Sequence, residues 1–192
     1  MFTKSLSVAL LCAAFTLTSC SHEPKDSKEA AEQMNDDKFN KEGEKAADKL
    51  VKAYSSNLYE IRAAENALMN ASTPEVKRLA NMLVEAHTKM NVDVKSLAAT
   101  KDVTLPTDLT DEQRKDLEKL AGKSGLDYDQ AFTEHMKDKH EKAVDFYETT
   151  AQKSDDADIQ AWASAMVTEV RSHLEMVKSS CEIVKDREKT HK

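Results

Sequence analysis

An all-α fold is predicted by three features of this chain, and the third also predicts how many long helices there are. Only 3 Gly and 3 Pro stand in 192 residues, too little turn material for a many-stranded sheet. Ala, Lys, Glu, Leu and Met dominate, and all are strong helix formers. Four long segments return apolar residues at alternating steps of three and four, the period of one helix face. Burying four such stripes against one another calls for a four-helix bundle.

Residues 1–19 are expected to be a signal peptide and not part of that bundle. Lys4 gives a short positive start, and Leu6 to Leu17 form an apolar run too short to span a bilayer. The run ends in Leu17-Thr18-Ser19-Cys20, which looks like a lipobox. Small residues suit a peptidase, and the Cys20 thiol is the natural acceptor for lipid, palmitate included. The chain is therefore read as a lipoprotein held to a membrane of the cell envelope through Cys20, the outer membrane or its periplasmic face being preferred. Several acyl chains on one cysteine make such an anchor stable. Residues 20–43, the lipidated cysteine and a charged stretch broken by Pro24 and Gly43, are read as a polar tether, in part helical. Residues 44–192 are read as the bundle domain.

The first long helix is expected from about Glu44 to Ala71, with Leu50, Tyr54, Leu58, Ile61 and Leu68 on one face. The second starts after Ser72-Thr73-Pro74-Glu75, where a hydroxyl can cap and proline suits the first turn. Its seam reads Val76, Ala80, Leu83, His87, Met90, Val94, Leu97. A connection over residues 100–127 follows. In it, Leu109-Thr110-Asp111-Glu112-Gln113 supplies a cap, its capping-box partner and a hydrophobic staple for a short helix. The third long helix runs from about Tyr128 to Gln152 with Phe132, Met136, His140, Ala143 and Tyr147 inward. The fourth is capped near Ser154 to Asp156 and carries Ile159, Ala163, Met166, Val170, His173, Val177, Ser180 and Val184, with Trp162 beside them. The short links make the first and last helix pairs antiparallel hairpins. The long connection can cross the whole bundle, leaving the second and third helices parallel, as in ferritin-like bundles.

Three histidines fall in these apolar seams, His87, His140 and His173, each near the middle of its helix. Packed helices of similar length share their midpoint level, so the three imidazoles are expected in one core layer. Glu60 lies at the same level on the stripe Ala53, Asn57, Glu60, Ala64, Ala67, Ala71, whose small side chains allow close helix approach. One carboxylate and three imidazoles suit a zinc, iron or copper ion. The same residues can also form a buried hydrogen-bonded network that sets helix register.

Other residues point to chemistry less directly. His22 and His135 fall off the seams and are expected in solvent. Glu188-Lys189-Thr190-His191 has helical metal-motif spacing but sits at a chain end. Met69, Met82, Met90, Met136, Met166 and Met176 read as core filler. Cys181 reads as a packed thiol. No glycine-rich phosphate loop, nucleophile elbow or Cys-x-x-Cys motif is present. The net charge of -7, which becomes -8 once Lys4 leaves with the signal peptide, argues against nucleic acid as a partner.

From about Ala53 to Val177 the chain resembles the bacterial envelope proteins of the domain of unknown function 4142 family, which are ferritin-like. The matching segments are Glu60-Ile61, Thr73-Pro74-Glu75-Val76-Lys77, Met82-Leu83-Val84-Glu85-Ala86-His87-Thr88, Leu105-Pro106, Tyr128-Asp129-Gln130-Ala131-Phe132, His140 and His173-Leu174. The resemblance implies the same four positions, Glu60, His87, His140 and His173, and adds an acidic residue at Asp129 as a supporting carboxylate behind them. Two departures stand out. Ala86-His87 replaces the family's common Asp-His, and Tyr128 stands where Phe is usual. A carboxylate-bridged di-iron site would need Glu three residues before its histidines. Those positions hold Val84, Lys137 and Val170, so a single ion or none is expected.

Two functions follow from these residues. The first is a lipid-anchored helical bundle with a structural or interaction role, an envelope protein as its partner and a buried Glu/His layer. The alternative is a mononuclear transition-metal protein using Glu60, His87, His140 and His173.

Overall fold

The computed structural model describes residues 25–190. The stretch read as a signal peptide, Cys20, His22 and His191 lie outside the described residues. Six α-helices and no strand appear among those described: α1 (Ser27–Asp36), α2 (Lys41–Asn70), α3 (Pro74–Thr100), α4 (Asp111–Ala121), α5 (Gly125–Lys153) and α6 (Ala157–Thr190). None of them is long and apolar enough to cross a membrane.

The caps follow the sequence closely. Thr73 accepts from the Val76 amide, with Pro74 in the first turn of α3. Thr110 and Gln113 form a reciprocal capping box at α4. Asp156 accepts from the Asp158 and Ile159 amides at the start of α6. Each satisfies donors that a helix start leaves without partners.

α2 packs on α3, and α5 on α6, along their lengths. Side-chain contacts give the directions. Tyr59 meets His135 and Asn66 meets Tyr128, so α2 and α5 are antiparallel. Glu75 meets Arg187 while His87 faces His173, so α3 and α6 are antiparallel too. Since α2 and α3 also oppose, α3 and α5 run parallel, and residues 101–124 carry the chain back between them. Leu120 and Leu117 of α4 pack into the core on that path.

Two features depart from the sequence reading. Part of the stretch read as tether forms α1, which docks on α2 and on the crossover. Buried Asn35 donates to the Thr104 carbonyl and accepts from its amide, and Ser27 pairs in the same way with the Asp108 backbone. In α2, the small stripe Ala53, Asn57, Glu60, Ala64, Ala67 and Ala71 is buried throughout, whereas Leu58, Ile61 and Leu68 are only half-buried. Close approach to α3 turns the alanines inward and pushes the leucines to the flank.

The core divides in two. One cluster holds Tyr59, Leu83, Tyr128, Phe132, Met136, Val177 and Cys181. The other holds Leu50, Val94, Tyr147, Ile159, Ala163 and Val170. Buried polar residues of four helices lie between them.

Candidate functional site

Those polar residues are Glu60 of α2, His87 of α3, His140 of α5 and His173 of α6, each at most 4% exposed. Their convergence repeats the level expected from the helix midpoints. The imidazole centroids stand 5.3, 5.3 and 5.7 Å apart, and the ligating atoms of the three histidines lie within 4.8 Å of one another.

Hydrogen bonds on the outer ring nitrogens decide what faces inward. His140 Nδ1 lies 2.8 Å from the Met136 carbonyl, which can only accept, so Nδ1 carries the proton. His87 Nδ1 lies 3.0 Å from the Asn57 side-chain oxygen and donates to it. With burial favouring its neutral form, His87 turns an Nε2 lone pair inward, where it faces His140 Nε2 at 3.3 Å. Glu60 Oε2 completes the triangle at 3.2 Å from His87 Nε2 and 3.6 Å from His140 Nε2. That oxygen is buried and has no hydrogen-bond donor, while Oε1 accepts from Ser56 at 3.1 Å.

Electrostatics sharpen the problem. Burial pushes the Glu60 carboxyl up, but His87, His140, the Ser56 hydroxyl and Lys139 together outweigh it and hold the carboxyl below its usual range. Burial pushes His87 down despite Glu60. It brings His173 down to about 4, helped by its two neighbouring histidines. A carboxylate oxygen and two imidazole nitrogens thus converge in a buried layer, where a shared proton or a bound cation is needed to hold them together.

The spacing fits such a cation. Ligands about 2.0–2.1 Å from a tetrahedral metal stand roughly 3.4 Å from one another, close to the three edges found. The outer hydrogen bonds of His87 and His140 are also the kind that orient metal-binding imidazoles.

A cavity of about 1380 Å³ reaches this layer between α2 and α5, with Glu60, His87 and Asn57 in its wall. α1 and the start of α4 form part of its rim. Lys52 lies over the Phe146 ring and Lys139 over the Tyr59 ring. On the opposite side, a cavity of about 290 Å³ between α3 and α6 reaches His173.

Other candidates fall elsewhere. Asp129 does not stand behind the histidines: it accepts at 2.8 Å from the Ser72 amide, the Ser72 hydroxyl and the Thr73 amide, tying α5 to the α2–α3 turn. His135, expected in solvent, is half-buried and bonded to the Tyr59 hydroxyl at 2.6 Å. Its ring reaches α2 from the flank of α5, which a seam count cannot show. Cys181 is a buried free thiol, as expected, and burial raises its pKa. Met69 and Met176 are not core filler, being 75% and 40% exposed.

A family model described as a domain of unknown function (DUF4142) matches residues 26–179, and the chain belongs to that family. No curated protein and no solved structure matches the chain.

Proposed function

We propose that this chain is a transition-metal protein: a ferritin-like four-helix bundle that holds one ion on Glu60, His87, His140 and His173. The observation that carries this reading is the inward triangle of Glu60 Oε2 and the two Nε2 atoms of His87 and His140, 3.2 to 3.6 Å on a side. A purely structural polar layer would instead be held by a proton on one edge of that triangle, the alternative that metal titration separates from this one. Three imidazoles and one carboxylate form a donor set of intermediate softness, suited to iron, zinc or copper. An ion held there would act as a Lewis acid or a redox centre, with the α2–α5 cavity giving water and small ligands their path to it. The lipobox-like Leu17-Thr18-Ser19-Cys20 supports placing the bundle on a tether at an envelope membrane, which membrane fractionation of wild type against Cys20→Ser tests.

Metal analysis of the full chain, purified in detergent and titrated with iron, zinc and copper, tests the central reading. About one equivalent in the wild type, lost in His140→Ala and in His173→Ala, is the expected result. Absence of bound metal, with both variants merely less stable, would return the four residues to a structural layer and favour the interaction role.

A further inference from the structure

The α3–α6 side of the same layer has a different chemistry. Its cavity is lined by Met82, Met90, Met166, Met176, His173 and Glu85, among others. Four of the chain's 8 methionines therefore share one groove. They come from two antiparallel helices, two from each, so no local motif announces them.

Helix geometry places them around His173. Taking His87 and His173 as level, Met82 and Met176 lie about 4–8 Å to one side along the groove at 1.5 Å per residue. On the same rise, Met90 and Met166 lie about 4–11 Å to the other side. Exposure differs between the two sides of this track. Met90 and Met166 are 4% and 8% exposed, Met82 is half-buried, and Met176 is 40% exposed. Packing accounts for the two buried thioethers; it gives no reason for the two nearer solvent to line the same groove.

His173 supplies an independent pointer to a ligand. Its Nδ1 is buried without a hydrogen-bond partner, unlike the Nδ1 atoms of His87 and His140. A buried polar atom left in that state costs about 1–3 kcal/mol. The wall also carries Glu85, Asp93 and Glu169 against Lys89 alone, a balance that draws cations.

Thioethers and an imidazole select soft, low-charge ions over hard ones. We propose that the α3–α6 groove is a second metal site, binding a soft monovalent cation, Cu(I) or its redox-inert counterpart Ag(I), through its methionine sulfurs and His173. The site shares His173 with the central layer but does not require an ion there.

The test is nuclear magnetic resonance of the full chain labelled at the methionine methyls and titrated with Ag(I). The signals of Met90 and Met166, assigned through Met90→Leu and Met166→Leu, should move by one equivalent while those of exposed Met34 and Met69 stay put. Leucine conserves volume and is well tolerated in place of methionine, and the double variant should bind Ag(I) at least tenfold more weakly. Unchanged Ag(I) affinity in that variant, or equal movement of Met34 and Met69, would overturn the proposal. Glu60→Gln separates the two sites. Divalent metal lost with the Ag(I) response kept supports a second site, and loss of both would assign soft-metal binding to the central layer alone. A wild type that takes no divalent ion but shows the methionine shifts would sink the central reading and leave this one standing.

Discussion

One polar layer meets the surface on two sides, and the two sides are chemically unlike. Between α2 and α5 the opening is larger, and its wall mixes lysines such as Lys52 and Lys139 with carboxylates. Between α3 and α6 it is smaller, and four thioethers share its wall with carboxylates. The helix pairs explain the difference. Alanines let α2 close tightly on α3, whereas α2 meets α5 mainly through long side chains such as Tyr59 on His135 and leaves a cavity between them. The methionines of α3 and α6 fill their shared gap only in part. A single buried layer can thus be addressed by water and oxygen ligands from one side and by soft ions from the other.

Glu60→Gln breaks this comparison most severely. Replacing the charged oxygen by an amide leaves only the three imidazoles as ligands, and the divalent equivalent measured by elemental analysis should fall well below that of the wild type. Asp129→Ala comes next and touches neither side. It removes three hydrogen bonds to a carboxylate at the α2–α3 turn, each worth about 1.5–3 kcal/mol where charge is involved. Denaturant unfolding should show a loss of about 3 kcal/mol or more, with metal stoichiometry retained. Asn57→Leu sharpens the comparison on the α2–α5 side. His87 loses the acceptor that fixes its tautomer, and divalent affinity should fall about 10–100-fold in a competition titration. Ag(I) shifts of the methionines should not change. Lys52→Gln with Lys139→Gln is the mildest test. Charges at a rim act on association more than on affinity, so stopped-flow uptake should lose part of its salt dependence while the dissociation constant stays within about twofold.

Much of this architecture was legible in the residues. Pro74 and Thr73, Thr110 and Gln113, and the histidine positions in three seams are local signals, and local signals survive folding. The layer was legible because helix midpoints coincide when helices are of similar length. Three things were not. α1 is polar because it is held by hydrogen bonds from Asn35 and Ser27 to the crossover backbone, and no hydrophobic stripe marks that kind of docking. Asp129 was read with the ligands because it accompanies them in the family pattern, yet its partners are two backbone amides and the Ser72 hydroxyl of the α2–α3 turn. The methionine groove needs the register of α3 against α6, which no single helix contains.

The clasp between α1 and the crossover also has a mechanical meaning. A pull on the N-terminal end of the chain would reach α1 first and meet two pairs of hydrogen bonds, Asn35 with Thr104 and Ser27 with Asp108. Lys38 adds a third tie to the crossover, at Asp102. Tension on that end would thus be shared between the crossover and α2, and the helices that hold the layer would receive only part of it.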